Sequence, residues 1–227
     1  MALFQVTDYD KKIYEEELKD FLPEKILDVH THVWLDELVD PADLETGDNK
    51  RTVTWPGLVA KDNSIEDLQE TYRLMFPGKQ VHALMFTSKG GWDANNAYVS
   101  KVSKETGWPA LYYADPLESP EQLERKIREG GFLGVKSYLN RTPKYLPEAE
   151  IRIFDFFPKN QLAVLDRMGA IAMLHIPRNG RLKDPVNIQQ ILELRTQEHM
   201  ANFKMDFDDA YAKALQTVAY PGTSEHH

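Results

Sequence analysis

The chain has 227 residues, of which 42% are hydrophobic and 28% charged, with 36 acidic against 27 basic side chains and a net charge of −9. This balance, without a basic run, argues against nucleic acid and anionic membranes as partners. Zero cysteine excludes disulfides, thiolate metal sites and cysteine nucleophiles, and is typical of the cytoplasm. Residues 1–21 lack the features of a signal peptide, and no apolar stretch is long enough for a membrane span. We therefore expect one cytoplasmic domain of medium size, or an α/β barrel smaller than usual.

The first predicted elements are a helix, a strand and a long loop. The spacing of apolar side chains predicts an amphipathic helix over residues 9–22, with Phe21 on its apolar side and Pro23 as its end. "KILDVHTHVW" (25–34) has the composition of a buried strand. Residues 36–63 have no clear period and are predicted to be a long loop or insertion.

A regular alternation of helices and strands follows this loop. Ser64 and Asp67 have the spacing of a capping box and open a helix over 64–76. Strands are then predicted at 81–88, 109–116, 132–140 and 170–177, with helices at 95–107, 119–131, 148–168 (broken near Pro158) and 184–197. This alternation predicts βαβ units and a parallel sheet. No Gly-rich phosphate loop follows any strand, so a dinucleotide-binding fold is disfavoured.

The alternation ends in an irregular tail, residues 198–227. We expect one helix around 207–219 and at most a short strand at "TVAY". The final "TSEHH" is either native or the start of a tag, so no function is assigned to His226 or His227.

Two histidines stand at the carboxyl end of the first predicted strand. Because side chains alternate along a strand, His30 and His32 are expected to share one face, together with Asp28. Positions i and i+2 lie about 6.6 Å apart, so two imidazoles can converge on one metal ion. The alternative is a pair of core or loop histidines satisfied by hydrogen bonds.

A third histidine ends another predicted strand. His175 closes "AIAMLHIP", and three histidines at the carboxyl ends of two parallel strands would suit one metal centre with open positions. His82 begins its strand and is expected at the opposite end of the sheet, and His199 lies in the tail. Neither is predicted to be a ligand.

Further polar and aromatic candidates also lie at or near strand ends. Lys136, with Tyr138 on the same face by parity, is expected either to pair with an acid such as Asp115, to bind a substrate carboxylate or oxyanion, or to be a carboxylated bridge between metals. Arg178 is a candidate for an anionic substrate, as is Arg141, or both are solvated surface charges. Trp34 either lines the pocket or covers the barrel mouth.

With these residues placed, the chain resembles the metal-dependent amidohydrolase superfamily, in its "amidohydrolase 2" branch of TIM-barrel hydrolases and decarboxylases. The matching stretches cover roughly residues 24–197: "ILDVHTHVW", "ALYYADPLESPEQLERKIREGGFLGVKSYLN" and "MGAIAMLHIPR". HxH alone is a short motif, and the order of these segments makes the resemblance more specific.

The resemblance implies an α/β protein with a (β/α)8 barrel over residues 1–227 and a metal, zinc or alternatively manganese, at the carboxyl ends of the strands. His30, His32 and His175 would be metal ligands, with Lys136 as a further ligand if it is carboxylated. Lys136, Tyr138, Arg178 and Trp34 would otherwise contact the substrate. Members of this family hydrolyse amides or lactones, or decarboxylate acids without a redox cofactor. The implied reaction uses metal-activated water on a small, carboxylate-bearing substrate.

The sequence departs from the family pattern after the fifth strand. Strands six to eight, a strand-six histidine and the strand-eight acid that would act as the catalytic base are not recognised. Asp206, Asp208 and Asp209 lie in "KMDFDDAYAKAL", which is typical of a helix start. Counted against eight strands, about three βα units are missing, through truncation or an omitted internal segment. The alternatives are therefore a non-oxidative decarboxylase on the same scaffold, or a catalytically silent barrel fragment for binding or assembly. An open parallel edge would favour a homo-oligomer.

Overall fold

The structure is a computed structural model that describes residues 3–39, 60–88, 90, 92–203, 206, 208–209 and 212. The chain divides into two compact units, Met1–Ala114 with Glu124–Lys136, and Asp115–Leu123 with Ser137–His227. The described residues combine helices with small parallel sheets, so the predicted α/β class is confirmed. The prediction of one barrel domain over 1–227 stays a prediction.

The helices and strands follow the predicted order. The strands are β1 (Lys25–His32), β2 (Gln80–Phe86), β3 (Tyr112–Tyr113), β4 (Gly134–Lys136) and β5 (Ile171–Met173). The α-helices are α1 (Asp8–Ile13), α2 (Ile65–Met75), α3 (Trp92–Thr106), α4 (Pro120–Gly130), α5 (Ile153–Phe156), α6 (Lys159–Met168) and α7 (Pro185–Phe203). Short 3-10 helices cover Asp36–Leu38, Leu139–Arg141, Glu148–Glu150 and Arg181–Lys183.

Four parallel strands organise the first unit. β1 pairs with β2 from Lys25↔Gln80 to His32↔Phe86. A parallel bridge, Met85↔Ala110, links β2 to the segment that enters β3, and β3 pairs with β4. The order is therefore β1-β2-β3-β4, and the carboxyl ends lie at one edge of the sheet. Within the described residues of this unit the strands do not close into a barrel, so the (β/α)8 architecture stays a prediction.

The strands are shorter or more exposed than their composition predicts. β1 is not buried: Leu27 and Val29 are 56% and 58% exposed. Apolar composition cannot tell whether a second layer covers a strand, which is why the prediction of a buried strand is wrong. The segment 109–116 contains a strand of only two residues. β5 ends at Met173, well before Pro177, so His175 lies in the loop that follows the strand and not in the strand itself.

The amino-terminal helix also differs from its prediction. α1 continues as a π-helical turn over Tyr14–Leu18 and ends there, not at residue 22. Tyr14 is buried, and its hydroxyl donates to the Pro77 carbonyl at 2.7 Å. Phe21, predicted to lie on the apolar side, is 82% exposed. The buried tyrosine, not Phe21, anchors this helix.

Local cap chemistry explains the helix starts that were predicted. The Ser64 hydroxyl accepts from the Asp67 amide, and the Asp67 carboxylate accepts from the Ser64 amide, which confirms the capping box of α2. Ser119 and Gln122 make the same exchange at α4. Pro158 separates α5 from α6, as the predicted break requires.

Two predicted regions lie largely outside the described residues. Residues 36–39 and 60–63 of the predicted loop are described, whereas 40–59 are not. Of the predicted 207–219 helix only 208–209 and 212 are described, and "TVAY" lies outside. None of the helices in the described ranges combines the length and apolar composition that a bilayer span requires.

Candidate functional site

A β-bulge determines which way the histidines of β1 face. Asp28 is level with Ala83, and the next registered pair is Thr31 with Met85. Three residue steps on β1 therefore match two on β2, which places one extra residue in β1. Because side chains alternate along each strand, the extra residue reverses the face that the rest of β1 presents.

Asp28 consequently does not share the face of the two histidines, and that prediction is wrong. Its carboxylate Oδ2 accepts from the hydroxyl of Tyr72 on α2 at 2.7 Å. His32, beyond the bulge, is level with Phe86 and faces the other way.

The imidazoles of His30 and His32 lie side by side on this second face. Their ring centroids are 5.4 Å apart, and they lie 5.1 and 4.6 Å from the Phe86 ring, each in an edge-to-face arrangement. The predicted proximity is confirmed, and the predicted role as metal ligands stays a prediction. Phe86 was not predicted as part of the site, and only the register of β1 against β2 identifies it.

Lys136 reaches the same phenylalanine from the carboxyl end of β4. Its side chain is 1% exposed, and Nζ lies 5.9 Å from the Phe86 ring centroid. Burial lowers the pKa of Lys136 to about 8, because the charged form loses hydration. The pKa of His30 is lowered chiefly by burial and also by the charge of Lys136, against the opposing effect of Asp28. The ammonium of Lys136 and the imidazole of His30 therefore influence each other electrostatically.

Residues 32–34, at the end of β1, form hydrogen bonds with residues 61–63. The Asn63 side-chain amide donates to the His32 carbonyl at 2.6 Å, and Trp34 and Asn63 exchange main-chain hydrogen bonds of 3.0 and 3.1 Å. The indole of Trp34 is 5% exposed and donates to the Lys61 carbonyl at 2.9 Å. Trp34 therefore packs under residues 61–63, and its contact with substrate stays a prediction.

His175 and Tyr138 lie together in the second unit. Their ring centroids are 5.5 Å apart with planes at 50°. Tyr138 is buried, and burial raises its pKa above the ordinary value for tyrosine. The ligand role of His175 and the substrate role of Tyr138 stay predictions.

The two arginines considered for anion binding are both engaged in ion pairs in this unit. Arg178 donates through Nε to Asp184 Oδ2 at 2.8 Å, and this hydrogen bond is the main reason why the pKa of Asp184 is lowered. Arg178 also has a φ of 60°, a conformation unusual outside glycine. Arg141 pairs with Asp115, the acid considered above for Lys136.

Asp206, Asp208 and Asp209, the described aspartates of the tail, lie at a helix start and not on a strand, so none of them is the strand-eight acid. Asp206 Oδ1 accepts from the Asp209 amide at 3.0 Å, and Asp208 and Asp209 are helical. The predicted helix start is confirmed for these residues. Among the described residues, no three or more His, Asp or Glu side chains are grouped as a metal site.

The side chains that could bind a metal ion here are therefore two imidazoles, of His30 and His32, and the buried amine of Lys136. Two neutral imidazoles suit zinc or manganese, but an adjacent ammonium repels a cation. Carboxylation removes this conflict, because the lysine then carries a negative oxygen donor in place of a positive charge. The set around Phe86 fits a metal ion when Lys136 is in that form.

Comparison with protein-family models, with curated proteins and with solved structures gave no match to this chain.

Proposed function

We propose that the chain is a metal-dependent hydrolase of the amidohydrolase type, built on a (β/α)8 scaffold, in which His30 and His32 bind zinc or, alternatively, manganese. One observation carries the proposal: both imidazoles and Lys136 surround the Phe86 ring at the carboxyl ends of β1, β2 and β4. α/β barrels place their chemistry at this end of the strands. His175 belongs to the second unit, and we propose it as the third histidine ligand.

Lys136 is proposed to complete the metal site as a carbamate. Its neutral amine attacks carbon dioxide, a C–N bond forms, and one proton leaves to solvent. A pKa near 8 supports this step, because a useful fraction of the amine is neutral at physiological pH. The product changes the charge beside the imidazoles from positive to negative.

The bound metal would lower the pKa of a water molecule and polarise a substrate oxygen. We propose an amide or lactone bond in a small, carboxylate-bearing molecule as the substrate. If Lys136 stays an ammonium, it binds the substrate carboxylate instead, and Tyr138, Arg178 and Trp34 remain proposed substrate contacts. The proposed cytoplasmic location and homo-oligomeric state follow from composition and from the exposed apolar residues of β1.

The test is a panel of lactones, amides and aromatic acids, assayed for hydrolysis and for release of carbon dioxide. The protein is stripped of metal with a chelator and then given zinc or manganese with bicarbonate. We expect metal-dependent hydrolysis that is lost in His30→Ala/His32→Ala and kept in His82→Ala, a matched histidine at the start of β2. Release of carbon dioxide from an aromatic acid, without hydrolysis of any lactone or amide, would refute the hydrolase proposal and support a non-oxidative decarboxylase.

A catalytically silent protein for binding or assembly is the second candidate. The exposed Leu27 and Val29 on β1 favour it, because contiguous apolar side chains on a surface are typical of contact sites. Sedimentation of the wild type against Leu27→Ser/Val29→Ser distinguishes this candidate: a dimer that dissociates in the variant, together with a metal-free wild type, would support assembly.

A further inference from the structure

The carboxylate of Asp28 connects the bulge of β1 to helix α2. Oδ1 accepts from the His30 amide at 2.9 Å, and Oδ2 accepts from the Tyr72 hydroxyl at 2.7 Å. Thr31, at the other end of the bulge, lies beside the same tyrosine hydroxyl and opposes the rise of its pKa. Tyr72 and Thr31 are both buried. One tyrosine thus contacts a side chain on each side of His30.

The bulge decides which environment the imidazoles occupy. Without it, the register that begins at Asp28↔Ala83 would bring His30 level with Met85 and His32 level with Thr87. Met85 and Thr87 share the side of the sheet that Ala83 and Asp28 face, so the histidines would be directed toward helix α2 and away from Phe86. With the extra residue, His32 is level with Phe86, and both rings reach the face where Lys136 lies.

A bulge leaves one main-chain group without its usual partner on the neighbouring strand. The Asp28 carboxylate supplies a replacement for the His30 amide. The Tyr72 hydroxyl fixes the other oxygen, which removes the freedom of the carboxylate to rotate away. Tyr72 lies on the buried side of helix α2, whose first turn is closed by the capping box.

We infer that Tyr72, acting through Asp28, is a positioning residue that holds the His30 main chain in the bulge and thereby keeps the two imidazoles on the Phe86 face. The inference rests on the proposed function for its consequence, which is the geometry of the metal ligands. Groups that hold metal ligands in orientation commonly change metal affinity 10- to 100-fold when removed.

The test compares Tyr72→Phe with Tyr14→Phe as the matched control. Both tyrosines are buried, both belong to the first unit, and both donate one hydrogen bond, but Tyr14 donates to Pro77 and not to the bulge. Two quantities are measured by NMR and titration: the exchange rate of the His30 amide, and the affinity for zinc alone. We expect exchange about tenfold faster and zinc binding about tenfold weaker in Tyr72→Phe, with neither altered in Tyr14→Phe.

Equal exchange rates in the two variants would overturn the inference, whatever their stability. The ring-proton shifts of His30 and His32 give a second readout, because the edge-to-face Phe86 ring displaces them only while the bulge is intact. Asp28→Asn provides a second route and is expected to change the same signals. A wild type that binds no zinc would refute the metal site, and the exchange and ring-shift measurements would still decide the inference.

Discussion

Replacing Lys136 with methionine tests the electrostatic account of the site most sharply. The buried ammonium has its pKa lowered from 10.5 to about 8 by loss of hydration. At about 1.36 kcal/mol per pKa unit, holding the charged form in the folded protein costs about 3 kcal/mol at neutral pH. Methionine has a similar length and no charge, so Lys136→Met is expected to raise the free energy of unfolding by up to about 3 kcal/mol at pH 7.

The pH dependence gives the sign of the effect. The folded pKa lies below the unfolded one, so between pH 8 and 10.5 the unfolded chain binds more protons and the wild type gains stability as pH rises. The methionine variant lacks this gain. The free energies of unfolding of the two proteins should therefore become similar above pH 10.5. Urea denaturation at pH 7 and in the alkaline range, in buffer free of metal and bicarbonate, measures the difference.

Lys101→Met is the matched control, because Lys101 lies on α3 of the same unit with an exposed side chain and a weak helix pair to Glu105. It should show little change in stability and no difference in pH dependence from the wild type. A loss of stability in Lys136→Met at pH 7, or stability profiles that run parallel to the wild type across the alkaline range, would refute the reasoning.

Three further outcomes follow from single contacts. Lys136→Met should raise the pKa of His30, followed by imidazole NMR, because one cause of its lowering is removed; an unchanged pKa would separate the two groups electrostatically. Ser64→Ala should lower the free energy of unfolding by about 1 kcal/mol through loss of the α2 cap, and urea denaturation with no change would show that the cap contributes nothing. Arg178→Ala should raise the pKa of Asp184, measured by carboxyl NMR, and a constant value would deny the hydrogen bond.

What the sequence could predict was local. The capping box of α2 depends on Ser64 and Asp67, three residues apart, so the residue types alone indicated it. The same holds for the break at Pro158, where the ring of proline prevents continuation of a helix. The order of strands and helices follows from their own periodicity.

What the sequence could not predict depends on distant partners. Alternation in "DVHTH" correctly placed His30 and His32 together but put Asp28 on the wrong face. The bulge that separates them involves Tyr72, 44 residues further along the chain, which no pattern within the strand indicates. The exposure of Leu27 likewise depends on what packs over β1, not on the residue itself.

The central claim is that His30 and His32 bind a metal, and the zinc content of the purified protein tests it most directly. Metal analysis after exposure to zinc and removal of the free ion compares the wild type with His30→Ala/His32→Ala and with His82→Ala, whose ring stacks on Trp108 at the other end of the sheet. The account predicts about one zinc per chain in the wild type and in His82→Ala, and none in the double variant. A wild type without zinc, or a double variant that keeps it, would contradict the account.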